Sequence, residues 1–379
     1  MPLSLYWNHR GEPHEIEDCP ESIEHWDAGQ PLNEPQCTII QTVEEVLSVQ
    51  VTQMDVRAMS RNAVLDVELH DGRRVIIRAP NVGCENVSIP LINREIEILK
   101  WLKTNSSIPI PAIYGVVTAN HPKAFPIIVM EKLPGTMVFN VVGKCPYYER
   151  LMQSFADIQI QLFNLQTPQL IGTAYVEGDK MDVIPKVALA RAESSSRVYD
   201  SLEAYANSQI EMTRRSLEGQ DEVTLTQGMR VLDRIEEMLP SIFSRLSRPA
   251  HRHCMLMHDD LSPMNVLMDA EGNVTGVLDW EYQSIMPAVL AVEYPTCIRY
   301  DGMHDPKYTK NLEETWWLVG PEDSAKLREV YAESIKAKDR ECWEALVDGE
   351  FLRRILEWVT SGIDFDIMEQ WLNAFAHGY

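Results

Sequence analysis

Residues 255–269 read MLMHDDLSPMNVLMD, and residues 274–283 read VTGVLDWEYQ. The first stretch places a histidine, two aspartates and an asparagine between apolar runs. The second places Asp279 between Leu278 and Trp280. Burying an isolated carboxylate in apolar surroundings costs a large amount of free energy, so such a group is solvated, paired or bound to a metal ion. The sequence therefore predicts a cation beside Asp279.

The composition limits the partners of the protein. The chain has 379 residues and a formal net charge of -23. This charge disfavours nucleic acid and anionic membrane surfaces, because both are bound through Lys and Arg. The seven cysteines include no Cys-x-x-Cys pair, which indicates reduced thiols. Because the chain has neither a leader-like N-terminus nor an apolar run of membrane-spanning length, we expect a cytoplasmic protein.

The N-terminal third is strand-like. Residues 1–35 are rich in Pro, Glu and Asp and predict an extended or loosely packed arm. LSVQVTQMD, AVLDVELHDG and RRVIIRAP are β-branched runs, and Asp71-Gly72 predicts a hairpin turn between the last two. Residues 91–103 have the apolar period of a helix. FPIIVMEKLPGT then predicts a buried strand that ends at a turn.

A change of pattern near residue 135 predicts two lobes. Residues 36–135 would form a small N-lobe that binds nucleotide, with an antiparallel sheet and one helix. Residues 136–379 would form a mainly helical C-lobe that contains a catalytic loop at 257–281 and an acceptor pocket. We therefore expect a bilobal α+β fold with a cleft between a β-rich lobe and an α-helical lobe.

A charged residue lies on the apolar side of the predicted helix. Glu95 falls in the middle of that side, and a buried glutamate needs a cation. Arg78, in the preceding strand, is the nearest candidate, so we expect the two to pair. The pair could serve nucleotide binding or be purely structural, because ion-pair networks also occur away from active sites.

The spacing of polar residues around the opening stretch has the form of a kinase catalytic loop. His258-x-Asp260-Leu261-x-x-x-Asn265 is followed by Asp279 at the end of a second apolar strand. The alternative interpretation is an acidic turn between two strands. Four positions agree in residue type and spacing, which favours the catalytic loop.

Phosphoryl transfer from ATP needs few protein groups. A carboxylate accepts or orients the proton of the acceptor hydroxyl, hard oxygen ligands hold Mg²⁺, and a cation binds the phosphates. The sequence supplies a candidate for each role in that order: Asp260, then Asn265 with Asp279, then Arg78 held by Glu95.

Several motifs together resemble the aminoglycoside phosphotransferase family, in particular its fungal branch. In the family's order from about residue 51 to 287 they are VIIRAP, REIEILKWLKTNSSIPIPAIYGV, IIVMEKLPGT, QLFNLQTPQLIGTAY, LMHDDLSPMNVLMD and GVLDWEYQSIMP. The resemblance implies a protein-kinase-like fold, ATP and Mg²⁺ as cofactors, and a small-molecule acceptor.

The resemblance also implies roles for individual residues. Asp260 would be the catalytic base, Asn265 and Asp279 the Mg²⁺ ligands, and Arg78 with Glu95 the phosphate clamp. The remaining roles concern adenine and the loop. The backbone from Glu131 to Leu133 would bind adenine with Met130 behind the ring, and His258 would fix the catalytic loop.

Three features depart from the family pattern. Most members have lysine where this chain has Arg78, which keeps the charge but differs in length and geometry. The loop RAMSRNAVL has no glycine with which to close over phosphates, so the candidates to bind phosphate through side chains are Ser60, Arg61 and Asn62. Asp259 takes the place of the usual glycine and adds negative charge beside the base.

The sequence thus predicts an ATP- and Mg²⁺-dependent phosphotransferase that phosphorylates a hydroxyl of a small molecule as a monomer or simple homo-oligomer. The alternative is a non-catalytic kinase-like binding or regulatory protein with a degenerate nucleotide site. A third possibility is an enzyme of specialised metabolism whose phosphorylation activates a hydroxyl for elimination. A protein kinase is disfavoured, because no Ala-Pro-Glu segment follows Asp279. The sequence identifies neither the acceptor nor the choice between ATP and GTP.

Overall fold

The computed structural model of the chain describes residues 3–17, 23–31, 33–57, 62–80, 89–117, 127–141, 148–186, 197–309, 317–361 and 364–376. Its first eight strands lie in the N-terminal third: β1 (Leu3–Trp7), β2 (Pro13–Glu17), β3 (Ile23–Asp27), β4 (Val51–Arg57), β5 (Asn62–Leu69), β6 (Arg74–Pro80), β7 (Ile113–Val117) and β8 (Ile127–Glu131).

Six of these strands form one antiparallel sheet in the order β3-β4-β5-β6-β8-β7. The predicted hairpin is present, because β5 pairs with β6 across Asp71-Gly72. Gly72 has a φ of 82°, a value that glycine adopts without steric cost. The core beneath the sheet is built from alternate apolar residues of its strands, including Leu65, Val67 and Ile77.

Two helices accompany this sheet, α1 (Glu34–Leu47) and α2 (Ile89–Asn105). The sequence predicts one helix in this region, whereas the structure has two. Asn33 and Gln36 form a reciprocal capping box, in which each backbone N–H donates to the other side chain at 3.0 and 2.9 Å, and this fixes the start of α1. The predicted helix at 91–103 corresponds to α2, and Glu95 is buried on its inner side.

The N-terminal segment contains extended strands that pack against the rest of the chain. β1 and β2 form a hairpin, and Trp7 exchanges two backbone hydrogen bonds with Trp317, at N–O distances of 2.8 and 2.9 Å. A side-chain carbon at Gly320 would lie 2.6 Å from the indole Nε1 of Trp7, so the contact is close. β3 meanwhile pairs with β4 of the sheet. We call β1, β2 and β3 the N-terminal strap, because they contact both the six-stranded sheet, through β4, and the later part of the chain, at Trp317.

The rest of the chain is mainly helical. Its helices are α3 (Val138–Val141), α4 (Tyr148–Asn164), α5 (Leu202–Ser216), α6 (Glu222–Arg245), α7 (Pro249–Arg252), α8 (Ala288–Ala291), α9 (Pro321–Lys338), α10 (Arg340–Asp348), α11 (Glu350–Thr360) and α12 (Phe365–Phe375). Its strands are β9 (Thr136–Met137), β10 (Gly172–Glu177), β11 (Lys180–Ile184), β12 (Cys254–His258), β13 (Val266–Met268), β14 (Val274–Val277) and β15 (Gln283–Pro287).

Two small sheets hold the opening stretch of sequence in place. One has the strand order β11-β10-β15-β12 and the other β14-β13-β9. Trp280, fully buried, anchors the segment between β14 and β15 in the large apolar core of the helical part. The lobe boundaries at residues 35 and 135 stay predictions. Among the described helices, none combines the length and the apolar character needed to cross a membrane.

Candidate active site

His258 ties the catalytic loop to the strand that precedes Asp279. The ring is buried, and its Nδ1 accepts a hydrogen bond from the backbone N–H of Asp260 at 3.1 Å. Its Nε2 lies 2.8 Å from the carbonyl oxygen of Leu278. Because Nδ1 accepts, Nε2 carries the proton and donates it to that carbonyl. The neutral His258 ring, protonated at Nε2, therefore links the catalytic loop at Asp260 to the segment that leads to Asp279.

Asn265 is held against Asp260. The Nδ2 group of Asn265 donates to the backbone oxygen of Asp260 at 2.9 Å and to its carboxylate Oδ2 at 3.0 Å. Both amide hydrogens are thereby directed at one residue, so the amide oxygen of Asn265 can serve a different ligand. Asp260 itself is exposed, as a group that meets a substrate must be.

The backbone of Asp279 is strained. Its φ is 61°, in the left-handed region that residues other than glycine rarely adopt. Such a conformation costs on the order of 1–3 kcal/mol and persists only where neighbouring contacts enforce it. Here the Leu278 N–H donates to the Asn265 carbonyl at 2.8 Å, and the Trp280 indole donates to the Val277 carbonyl at 3.2 Å. The contacts of the neighbouring residues therefore hold the backbone of Asp279 in this conformation.

Arg78 and Glu95 form the predicted pair. Nη1 of Arg78 lies 2.6 and 2.7 Å from the two carboxylate oxygens of Glu95. The same Nη1 lies 3.5 Å from Oδ1 of Asp279, and Nη2 lies 2.7 Å from Oε2 of Glu281. One guanidinium thus faces three carboxylates, and it links the helix α2 to the segment after β14. Sequence reasoning missed Glu281, which carries no spacing signal of its own.

The three carboxylates around Arg78 outnumber its single positive charge. Burial raises the pKa of Glu95 to about 7, an effect that Arg78 opposes and that Asp279 and Glu281 reinforce. A divalent cation beside Asp279 would offset this excess. Within the described residues, no three His, Cys, Asp or Glu side chains form a metal-binding group. Mg²⁺ is commonly held by one or two carboxylates together with water and substrate phosphates, and Asp279 with the amide oxygen of Asn265 could supply the protein ligands.

The predicted adenine site lies at the end of β8. Met130 is buried against Ile92 and Ile96 of α2. The backbone N–H of Glu131 donates to the Ala112 carbonyl at 2.8 Å, so it serves the sheet. The N–H of Leu133 makes no hydrogen bond within the described part of the chain, so it stays a candidate for a ligand. Ser60 and Arg61 lie outside the described residues, as does the side chain of Asn62.

Asp259, the residue before the predicted base, contacts Ser284 and Lys186. Its Oδ2 accepts a hydrogen bond from Ser284 Oγ at 2.7 Å and lies 3.7 Å from Lys186 Nζ. The side chain lines a cavity of about 430 Å³ behind the catalytic loop. The negative charge of Asp259 is therefore paired with Lys186.

The sequence model of the phosphotransferase enzyme family matches residues 59–290. The chain belongs to this family. Clavilactone A biosynthesis cluster protein Y of Ampulloclitocybe clavipes is 34% identical over 365 residues, which cover 93% of this chain and 90% of that protein. The altered inheritance of mitochondria protein 9 of Lachancea thermotolerans is 27% identical over 183 residues, which cover 46% of this chain and 27% of that protein.

Solved structures confirm the predicted kinase-like fold of this phosphotransferase family member. The aminoglycoside phosphotransferase APH(4)-Ia, in a ternary complex with AMP-PNP and hygromycin B, superposes with a TM-score of 0.53 at 14% identity, over 90% of this chain and all of that one. A variant of the same enzyme with ADP and hygromycin B gives 0.51 at 14% identity, over 89% of this chain and 99% of that one. At such identity the likeness shows the fold alone.

The phosphotransferase family match covers only part of the structure. It includes the region of Arg78 and Glu95, the catalytic loop and Asp279. The helices α9 to α12 lie beyond its last residue, although two of them line the cavity behind the loop. The walls that would select an acceptor are therefore partly outside the region that defines the family.

Acidification is expected to destabilise the protein through His258. Burial lowers the pKa of His258, although the Leu278 carbonyl and nearby aspartates act in the opposite direction. The unfolded chain therefore binds a proton at a pH where the folded chain does not. The neutral His258 ring therefore contributes fully to the free energy of unfolding above about pH 6.5. This contribution is lost as the pH falls toward the pKa of His258 in the folded protein, by up to about 1.4 kcal/mol per pH unit.

Urea unfolding at pH 7, 6 and 5 would measure this slope for the wild type and for His258→Gln. The variant should lose part of the pH dependence. His253→Gln is a suitable control, because His253 also bonds a backbone carbonyl, at 3.0 Å from Phe163, yet lies outside the loop. An unchanged slope in His258→Gln would contradict the assignment.

Proposed function

We propose that the protein is an ATP- and Mg²⁺-dependent phosphotransferase that phosphorylates a hydroxyl of a small molecule. The observation that carries this proposal is the hydrogen-bonded unit of Asp260, Asn265 and the segment ending at Asp279. Family membership supports the same reaction class. Asp260 contacts Asn265, and Arg78 lies 3.5 Å from Asp279, so groups that would serve as catalytic base, metal ligands and phosphate-binding cation are close together.

Asp260 would act on the acceptor. Its exposed carboxylate, oriented by Asn265, would accept the proton of the acceptor hydroxyl while that oxygen attacks the γ-phosphorus of ATP. The bond between the γ-phosphorus and the bridging oxygen breaks, and ADP leaves. The proton passes to Asp260, so charge and atoms balance.

Two residues would hold the metal ion. The Oδ1 atom of Asn265 and the carboxylate of Asp279 are the oxygen ligands, and Mg²⁺ would supply neutralisation of phosphate charge when bound. The strained backbone of Asp279 is held in its conformation in advance, so little backbone reorganisation is needed on binding.

Arg78 would contribute positive charge toward the phosphates, and Glu95 would keep its guanidinium in place. Leu133 would offer its backbone N–H to the purine, with Met130 behind the ring. Ser60 stays a candidate phosphate ligand from the sequence alone. Kanamycin and hygromycin B are named as ligands of neighbouring phosphotransferases, and neither is assigned to this chain.

A specific contact favours the second candidate, a non-catalytic kinase-like binding protein. Arg78 already contacts Glu95, Asp279 and Glu281. If these contacts persisted with nucleotide present, the guanidinium would not reach the phosphates. Nucleotide binding would then be weak or independent of Mg²⁺.

Thermal unfolding with ATP or GTP, each with and without Mg²⁺, separates the two candidates. At ten times its dissociation constant a nucleotide stabilises the native state by about 1.4 kcal/mol, which corresponds to a rise of a few degrees in Tm. We expect this rise to require Mg²⁺ and to vanish in Asp279→Ala. Asp157→Ala is the control, because Asp157 is similarly exposed but lies on α4.

No rise at millimolar nucleotide would favour the non-catalytic candidate. A rise without Mg²⁺, or one that survives in Asp279→Ala, would contradict the metal site while leaving nucleotide binding intact. The two nucleotides compared under one condition would also decide the donor.

A further inference from the structure

The cavity behind the catalytic loop is placed to receive the acceptor. Its volume of about 430 Å³ is within the range of small-molecule sites, about 300–1,000 Å³. Met257, His258, Asp259 and Leu261 form one wall, so the residues before and after Asp260 in the chain line the cavity, whereas Asp260 itself is not part of the lining. α4, α8, α9 and α11 contribute the other walls.

Among the described residues that line this cavity, five buried polar atoms make no hydrogen bond. Three are the Nε atoms of Arg299, Arg353 and Arg354, and each of these lies within 3.5 Å of a carboxylate oxygen. The other two belong to Asp259 and Gln159. The Oδ1 atom of Asp259 and the Nε2 atom of Gln159 are both buried and make no hydrogen bond within the described residues. The side chain of Asp259 is 6% exposed and Gln159 is 6% exposed. Most buried polar groups are paired, so such exceptions require an explanation. Here one atom accepts and the other donates, and both residues line one cavity.

The charged groups of the cavity wall are four cations and three carboxylates, and each has an ion-pair partner. A fourth carboxylate, Asp301, lies outside the lining, 3.5 Å from Arg299 Nε and 3.2 Å from Arg354 Nε. The charged residues that line it are Lys186, Arg299, Arg353, Arg354, Asp259, Glu293 and Glu357. Arg299 Nη2 lies 2.7 Å from Glu357 Oε2, and Arg354 Nη2 lies 2.6 Å from Glu293 Oε2.

Lys186 pairs with Asp259 in the same way, and Arg353 Nε lies 3.3 Å from Glu293 Oε2. A strongly charged ligand would find no spare counter-charge, and it would lose hydration that the wall does not replace. The wall therefore suits a ligand without net charge.

Much of the remaining wall is apolar, beside the hydroxyl-bearing residues Tyr205, Tyr294, Thr296, Tyr331 and Thr360. The apolar part includes Phe155 and Leu162 of α4, with Met286, Leu290 and Leu356 from the far side. Apolar walls with a few fixed polar groups bind the body of a ligand by burial and orient it by hydrogen bonds. The two unpaired atoms are suited to that orienting role.

The geometry points to an uncharged, hydroxylated acceptor with an apolar body. One of its hydroxyl groups donates to Asp259 and another of its oxygens accepts from Gln159, while the reacting hydroxyl faces Asp260. The phosphorylation of this ligand rests on the proposed function. Its binding to the cavity does not, and can be tested without ATP. This ligand class distinguishes the chain from a receptor for a polycation such as kanamycin.

A charge-matched series of glycosides tests the ligand class. Phenyl β-D-glucoside is neutral, phenyl β-D-glucuronide is anionic, and the phenyl glycoside of glucosamine is cationic, while their shapes are nearly the same. We expect the neutral glycoside alone to raise Tm in the absence of nucleotide, and to accept phosphate when ATP and Mg²⁺ are added. Kanamycin should give no rise.

Gln159→Leu tests the specific contact, because leucine keeps much of the volume and removes the donor. Binding of the neutral glycoside should weaken about tenfold, the upper range for a lost hydrogen bond to a neutral group. The Tm of the ligand-free variant should be unchanged or raised, because an unpaired buried amide is removed. Ser208→Ala is the control, since Ser208 is a similarly buried polar residue whose hydroxyl already bonds Tyr199 at 2.6 Å.

Each outcome has a distinct meaning. A preference for the charged glycosides or for kanamycin, or no response to the neutral glycoside, overturns the inference. A drop of several degrees in the Tm of ligand-free Gln159→Leu overturns it too, because Gln159 would then have a structural partner. If nucleotide has no effect but the neutral glycoside binds, the proposed function fails and the ligand class stands.

Discussion

Asp260→Asn should lower turnover by about 100- to 10,000-fold, the usual contribution of a positioned base. Asparagine has nearly the same shape, and its oxygen can still accept the hydrogen bond that Asn265 donates to Asp260 at 3.0 Å. The loop should therefore keep its conformation while the ability to take a proton is lost. The rise in Tm with ATP and Mg²⁺ should persist in this variant.

The measurement is the rate of ADP release with an accepted glycoside, or with water as the acceptor if none is accepted. Asp157→Asn serves as the control for a surface aspartate. Undiminished turnover in Asp260→Asn would refute the assigned role. A loss of turnover together with the Tm response would point to a misfolded loop.

Arg354→Met should lower the free energy of unfolding by more than a substitution on the protein surface does. Arg354 is 3% exposed, and its guanidinium contacts three carboxylates: Glu293 at 2.6 Å, Glu357 at 2.9 Å and Asp301 at 3.2 Å. Methionine retains the apolar stem but leaves those carboxylates short of a partner. Breaking a buried ion pair by removing one member costs about 3–5 kcal/mol.

Equilibrium unfolding in urea would measure this loss. Arg215→Met is a suitable control, because Arg215 pairs with Glu211 on an exposed helix surface, where an ion pair contributes little. Equal stability of the two variants would show that the buried arginine network adds nothing to folding.

Local patterns in the sequence were sufficient for part of the fold. The turn at Asp71-Gly72 and the apolar period of α2 are short-range signals, and the structure contains both elements. The start of α1 was also readable, since Asn33 and Gln36 have capping-box spacing. It was overlooked because β-branched residues follow it and resemble a strand.

Contacts between distant residues could not be predicted in the same way. Arg78 and Glu281 are 203 positions apart, and nothing in their local sequence indicates a contact. The pairing of Arg78 with Glu95 was predictable only because both occupy buried positions in neighbouring elements. Gln159 and Asp259 are likewise brought to one cavity by the packing of α4 against β12.

The N-terminal strap has a consequence for how the protein can be divided. β3 covers the outer edge of β4, and an uncovered edge strand offers free N–H and C=O groups to other chains. A fragment cut to the family match at residue 59 would lose β3 and β4 and leave β5 as the new edge. Self-association of such a fragment would then reflect where the chain was cut, and it would say nothing about the oligomeric state of the whole protein.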